Sequence, residues 1–225
     1  MSFGRTVAIV PAAGYGSRLG MKTRKPFVLL KGKPVIVHTL GALERCKAID
    51  EIIVASEPSC VRKFKVLVKR YRFGKVSSIV AGGKTRFESV KNCIARIGPS
   101  FDIVIIHDGA RPFVDDAAIT GSVRMARKFG ACVISSPETD TVKFVGKDLF
   151  VKRTLDRDRI FRAQTPQTFR CDIIKKAYAI ADKAGITDDA GLVERLGLPV
   201  KILVGKRNNM KITRREDLKL AEALL

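Results

Sequence analysis

The feature that most restricts the fold of this chain is an alternation of short apolar, β-branched runs with stretches of helical spacing. The runs are Thr6-Val-Ala-Ile-Val10, Glu51-Ile-Ile-Val-Ala-Ser56, Val76-Ser-Ser-Ile-Val80, Asp102-Ile-Val-Ile-Ile-His107 and Ala131-Cys-Val-Ile-Ser135. Runs that are apolar throughout belong to strands covered on both faces, as in parallel sheets. Helical spacing fills the intervals, from Val35 to Cys46, Pro58 to Tyr71, Thr85 to Ile97 and Asp115 to Phe129. The last of these opens with Asp115-Asp116, negative charge where a helix N-terminus favours it. Units of this kind predict an α/β fold, a doubly wound, mostly parallel, Rossmann-like sheet with ligands at the carboxyl ends of the strands.

The rhythm breaks between Pro137 and Ala163. Thr141-Val-Lys-Phe-Val145 and Leu149-Phe-Val-Lys-Arg153 flank Gly146-Lys-Asp148, which reads as a β-hairpin. Its charged sides predict an arm over 138–163 that projects from a single domain spanning 1–225. The regular pattern resumes with a helix from about Asp172 to Ala184, a short helix Asp188 to Leu196, a strand Val200 to Val204 and a terminal helix Arg214 to Leu224.

With 43 Lys and Arg against 22 Asp and Glu, the chain carries a formal charge of +21. Nucleic-acid binding is the first class this invites. The basic residues are spread along the whole chain without aromatic interleaving, so nucleic acid is not the expected partner. A positive field equally steers small polyanions into a cleft. Five cysteines form no C-x-x-C pair, and only His38 and His107 could complement them, so reduced, mostly buried thiols are expected. No apolar run approaches the roughly 20 residues needed to cross a bilayer. Met1 to Arg5 enters a strand pattern at once, and a cytoplasmic protein without membrane attachment is the expectation.

Four short runs at predicted strand ends or in loops ask for phosphate chemistry: Pro11-Ala-Ala-Gly-Tyr-Gly-Ser-Arg-Leu-Gly20, Gly82-Gly-Lys-Thr-Arg86, His107-Asp-Gly-Ala-Arg-Pro112 and Asn208-Asn-Met-Lys211. Gly14-Tyr-Gly16 lacks the third glycine of a dinucleotide fingerprint, since position 19 is Leu, and the turn carries Arg18 instead. Arg18 and Lys25 bracket a loop long enough to fold over a triphosphate, with backbone amides as further donors. Attack on an α-phosphorus spreads charge over the equatorial oxygens and the departing pyrophosphate. Such chemistry needs positioned cations and a divalent metal more than a covalent residue.

On these runs, together with Asp140-Thr-Val-Lys143, Asp156-Arg157, Gln164-Thr-Pro-Gln167, Thr187-Asp-Asp-Ala190 and Asn209-Met-Lys-Ile-Thr213, the chain resembles the 2-C-methyl-D-erythritol 4-phosphate cytidylyltransferases of the non-mevalonate isoprenoid pathway, from about residue 7 to 224. The resemblance implies a nucleotidyltransferase that joins CTP to a small alcohol phosphate, releases pyrophosphate and uses Mg²⁺. Arg18, Lys25 and Lys211 would act at the α-phosphate. Ala12, Ala13, Gly14, Gly16, Gly82 and Gly83 would hold the nucleotide largely through backbone, with Arg86 shaping the loop and Ser89 nearby. Asp108 would contact ribose or acceptor and help arrange Mg²⁺, which the phosphates would otherwise hold, and Arg111 would hold its loop. Thr165, Thr187 and Lys211 would line the acceptor side. The family's projecting hairpin implies a homodimer in which Thr141 and Arg157 reach the partner's acceptor site.

The chain departs from the family in reading Arg24-Lys25-Pro26-Phe27, in Lys84, and in His107-Asp108-Gly109-Ala110. A ribitol or other pentitol 5-phosphate cytidylyltransferase shares most of these motifs and stays open. A nicotinamide oxidoreductase would share the layout but needs the missing glycine and an acidic residue after strand two, where Ser56-Glu57 stands. His107 and His38 read as structural, and Thr187 could also cap the helix that starts near Asp188.

Overall fold

In the computed structural model, which describes residues 4–14, 16, 23–180 and 185–225, the first apolar run forms β1 (Arg5–Pro11). The short strands β2 (Leu29–Leu30) and β3 (Lys33–Pro34) make a separate antiparallel ribbon before α1 (Val35–Arg45). The remaining apolar runs form β4 (Glu51–Ser56), β5 (Val76–Ala81), β6 (Phe101–Ile106) and β7 (Ala131–Pro137), separated by α2 (Val61–Arg70), α3 (Arg86–Ile94) and α4 (Asp116–Phe129). The Asp115 side chain caps α4 by accepting from the Ala118 N–H at 2.7 Å, and Gly130, at φ 90°, ends it.

Strand side chains alternate between two helix layers, which is why the central runs are apolar at successive positions. In β1, Ala8 and Val10 pack with Ile36, Leu40 and Phe64 on one face. Val7 and Ile9 pack with Val90, Ile94 and Ile174 on the other. Ile103 and Ile105 of β6 follow the first face, Val104 and Ile106 the second. The seven-stranded order is β11-β7-β10-β6-β1-β4-β5, completed by β11 (Lys201–Val204) and β10 (Phe161–Arg170). The pairings are parallel except that β10 runs antiparallel to both neighbours.

That strand is the main departure from the sequence reading, which resumes a regular pattern only at Asp172. β10 is polar and contains Pro166, yet residues Gln164 to Phe169 are buried between β6 and β7. The arm is a hairpin of β8 (Lys143–Val145) and β9 (Val151–Thr154) in its own two-stranded sheet. Residues 161–163, counted with the arm in the sequence reading, pair with β7 instead. The chain ends through α5 (Cys171–Ile180), α6 (Ala190–Arg195), β11 and α7 (Arg215–Leu224). No helix among the described residues is long and apolar enough to cross a membrane. Cys46, Cys60, Cys93, Cys132 and Cys171 are free thiols; burial pushes Cys93 up to about 12 and Cys132 to about 11, which keeps them protonated and unreactive.

Candidate active site

Backbone bonds continue past the strand ends and draw four loops together. The Ala12 N–H donates to the Ala55 carbonyl at 2.8 Å, Gly82 to Ser56 at 2.7 Å, Gly109 to Pro11 at 3.3 Å and Ile212 to Ala110 at 2.9 Å. Between these loops lies a cleft of about 600 Å³ whose lining includes Ala12, Ala13, Gly14, Gly16, Lys25 and Lys211. It stands at the carboxyl ends of β1, β4, β5 and β6, where α/β sheets bind ligands.

Lys25 begins a single 3₁₀ turn, Lys25–Phe27, with Pro26 at its start. Gly16 lies against it: at φ +75° the backbone is left-handed, and a Cβ there would stand 2.6 Å from the Lys25 Cβ. The same turn is fastened to the far side of the cleft. Arg24 pairs with Glu57 at 3.4 Å, the Lys63 ammonium lies 4.1 Å from the Phe27 ring centroid, and Phe27 packs on Phe64 at 5.0 Å between ring centroids. The resemblance treats Arg24 as a departure from a proline; here it holds the lysine's turn to the end of β4.

Asp108 is the electrostatic centre. Its Oδ1 accepts from Arg86 Nε at 3.1 Å, while Oδ2 lies 2.6 Å from Lys211 Nζ and 4.0 Å from Arg111 Nε. Burial opposes ionisation of Asp108, but Arg86, Lys211 and Arg111 outweigh it and hold the carboxyl well below the usual carboxylate range. Burial lowers Arg111 against the pull of Asp108; its Nη1 donates to the Asn209 carbonyl at 2.7 Å. The Asn209 amide then donates to Gln164 Oε1 at 3.1 Å and to the Thr165 carbonyl at 2.8 Å. The Asn208–Lys211 run is thereby fixed against β6 and β10.

The Gly82–Arg86 loop folds onto the first turn of α3. The Gly82 N–H is taken by Ser56, that of Gly83 by Ser89 Oγ at 3.1 Å and that of Lys84 by Glu88 at 2.7 Å. A Cβ on Gly82 would stand 2.6 Å from that of Ala13, so this glycine lets the two loops meet. With their N–H groups committed inward, these three residues have only carbonyl oxygens to offer a ligand through backbone.

His107, fully buried, has a defined tautomer. Nε2 faces the Arg111 carbonyl at 3.0 Å and must donate to it, so in the neutral ring Nδ1 accepts from the Thr165 hydroxyl at 3.1 Å, and Thr165 Oγ1 in turn accepts the Asp108 N–H at 3.0 Å. Burial lowers the imidazole to about 4, which keeps it neutral. Both ring nitrogens are taken by Thr165 and Arg111, and the ring is absent from the cleft lining.

Other expected site residues stand elsewhere. Arg18 lies outside the described residues. Thr165 is buried behind Asp108 rather than lining the cleft. Thr141 and Arg157 are exposed at the arm, where Arg157 Nη1 donates to the Thr139 carbonyl at 3.2 Å. Thr187 is exposed beside a smaller depression with Asp188 and Arg195. Asp188, not Thr187, accepts from the first turn of α6, from the Gly191 N–H at 3.0 Å. Among the described residues no group of three His, Cys, Asp or Glu could hold a metal.

The sequence reading gave no role to Asp189, Tyr178 or Gln167, yet they stand directly behind Arg86. Arg86 donates to both Asp189 oxygens at 2.9 and 2.6 Å. Burial alone would lower its guanidinium, but Asp189 and Asp108 outweigh that and raise it. The one signal was the polar run Thr187-Asp188-Asp189 ahead of an apolar stretch, which reads first as a helix cap.

The sequence pattern of the family described as 2-C-methyl-D-erythritol 4-phosphate cytidylyltransferase matches residues 6–225. A protein of that name from Pelotomaculum thermopropionicum is 44% identical over 98% of this chain and 94% of its own. Another from Syntrophus aciditrophicus is 44% identical over 98% and 96%. Among solved structures, 4-diphosphocytidyl-2C-methyl-D-erythritol synthase from Anaerococcus prevotii superposes with a TM-score of 0.88 at 31% identity, covering 98% of this chain and 96% of that one. The Thermus thermophilus cytidylyltransferase gives 0.78 at 30% identity, covering 98% of each chain. With the matched pattern spanning the sheet, the cleft and the Asn208–Lys211 run, this chain belongs to the 2-C-methyl-D-erythritol 4-phosphate cytidylyltransferase family.

Proposed function

We propose that the protein joins CTP and 2-C-methyl-D-erythritol 4-phosphate, giving 4-diphosphocytidyl-2-C-methyl-D-erythritol and pyrophosphate. The observation that carries this reading beyond family membership is the pair of lysines, Lys25 and Lys211, lining one cleft, with Lys211 anchored on Asp108 at 2.6 Å. An oxygen of the acceptor phosphate attacks the α-phosphorus; the new P–O bond forms as the bond to the β-phosphate bridge breaks, and its electron pair leaves on pyrophosphate. The attacking phosphate is already ionised, so no general base is required, in keeping with a neutral, inward-facing His107. Lys25 and Lys211 meet the charge that develops on the α-phosphate oxygens, and Arg18 is assigned the same task. The committed N–H groups of Gly82, Gly83 and Lys84 favour a base that presents a donor, as the 4-amino group of cytosine does, over uracil, which presents an oxygen there.

Both Asp108 oxygens already face cations, so the residues present fit Mg²⁺ brought in on the triphosphate, where it would supply charge to the departing pyrophosphate, with Asp108 at most an outer contact. Thr141 and Arg157 are assigned to the acceptor site of a second copy in a homodimer. Their exposure on the arm supports this, as does their absence from the lining of their own chain's cleft. Use of CTP from the metabolic pool supports a cytoplasmic enzyme.

Pyrophosphate release, measured with ATP, CTP, GTP and UTP against methylerythritol phosphate and ribitol 5-phosphate, tests the reading. CTP with methylerythritol phosphate should exceed every other pair, and UTP by about tenfold or more, since a site built to accept a donor rejects a ligand lacking it. Faster turnover of ribitol phosphate, or release from no pair, overturns it.

A further inference from the structure

From behind the cleft into its lining, charges alternate in a chain: Asp189, Arg86, Asp108, Lys211. Asp189 is fully buried, and donors meet both oxygens of its carboxylate. Arg86 Nη1 and Nη2 reach its two oxygens at 2.9 and 2.6 Å, and Tyr178 Oη donates to Oδ1 at 2.5 Å. Its backbone is fixed too, because Gln167 Oε1 accepts the N–H groups of Asp189 and Ala190 at 3.0 and 2.9 Å. The Gln167 amide donates to Asp188 Oδ2 at 2.8 Å.

Guanidinium and carboxylate prefer a two-pronged pairing. Arg86 makes that pairing with Asp189 and reaches Asp108 with Nε alone, so Asp108 keeps Oδ2 for Lys211. The geometry points to Asp189 as a positioning residue for nucleotidyl transfer: by taking the fork of Arg86 it fixes how Asp108 is shared, and thereby where the Lys211 ammonium stands. Neither Asp189 nor Tyr178 lines the cleft, so the effect passes through Arg86 and Asp108. The same contacts join the Thr187–Asp189 segment to the Gly82–Arg86 loop, linking the side assigned to the acceptor with the side assigned to the nucleotide. The inference rests on the cytidylyltransferase reading for its kinetic consequence and on the geometry alone for its structural one.

In Asp189→Asn, Arg86 has one anionic partner left and turns its fork to Asp108, and Lys211 loses its place. Turnover should fall about 100-fold, the scale of a small misplacement of a reacting group, with little change in the KM for CTP. Competitive trace acetylation with peptide mass spectrometry gives a readout independent of activity. The labelling of Lys211 relative to Lys75, whose ammonium donates to the Cys46 carbonyl at 2.6 Å, should rise severalfold. Tyr178→Phe removes one hydrogen bond to Asp189 and leaves both charges, so it should shift both readouts the same way, with turnover down about tenfold or less. If Asp189→Asn does not fold, Tyr178→Phe decides by the same two measurements. Turnover that falls while the Lys211 ratio stays at the wild-type value makes Asp189 a buried structural partner and overturns the inference, as does no change in either. Should the wild type release no pyrophosphate from any pair, the functional reading fails, and the labelling ratio still decides the positioning.

Discussion

The cleft and the arm hold opposite stocks of interactions. Around the cleft, side chains distant in sequence are bound to one another through buried contacts: Arg86 to Asp189, Asn209 to Gln164, Thr165 to His107. Along the arm the main elements are local, a two-stranded ribbon closed through Gly146, and its apolar side chains face outward, with Leu149 80%, Phe150 71% and Val151 58% exposed. A cleft organised in this way holds its cations in place before any ligand arrives, so binding need not order them. An arm with its large side chains outside has no core of its own and gains one only against another surface.

The sharpest way to break this contrast is to remove a cation that the preorganised side holds in place. Lys25→Ala should lower kcat about 100- to 1,000-fold while CTP binding weakens far less, because the contact strengthens as charge develops. Equal losses in a CTP titration and in kcat would make the lysine an ordinary binding group. On the arm, Leu149→Glu with Phe150→Glu should leave the unfolding temperature of the monomer unchanged. It should shift sedimentation from dimer toward monomer and reduce activity about tenfold, since charge in an apolar contact costs several kcal/mol. An unchanged sedimentation profile would return the arm to the status of a solvated appendage. The smallest effect concerns the buried imidazole. His107 is held neutral at about 4 against about 6.5 unfolded, so the unfolded chain binds the extra proton. Its contribution is complete above pH 6.5 and declines as pH falls toward 4, by about 3 kcal/mol in all. Asp108, held low, loses its own contribution only below the ordinary aspartate range. Urea denaturation between pH 7 and 4 should therefore show a slope in the wild type that flattens in His107→Gln.

What could be read from the sequence follows the same division. β1, β4, β6 and β7 were legible because burial on two faces leaves a nearly continuous apolar run, β5 because Val76, Ile79 and Val80 still stand out at the sheet edge, and α4 because Asp115-Asp116 opens it. The loop at Gly82 and the Asp108 strand end were legible as motifs. β10 was not, because it is a buried strand made of Gln164, Thr165, Gln167 and Thr168 with a proline inside. Its polarity is paired by residues as distant as Asp108, Ser122, Asp189 and Asn209, and pairing of that range leaves no local period to detect. Asp189 was missed for the same reason: a carboxylate in a polar turn looks solvated until the arginine 103 positions away is seen against it. The motifs mark where the candidate site residues lie, and the contacts behind them say what keeps those residues in place.

The antiparallel strand β10 also sets an order on the birth of the molecule. β7 touches the sheet only through β11 and β10, both of which leave the ribosome after it. The neighbourhood of β1, β4, β5 and β6 can associate as soon as residue 106 is made, while β7 waits with an unpaired edge through the whole synthesis of the arm. When residues 161–170 emerge, one strand joins β7 to the sheet of β6, β1, β4 and β5 and delivers Thr165 to the back of Asp108 in the same movement. A released chain truncated within the arm would thus carry β7 as an orphan strand, exposed to other chains.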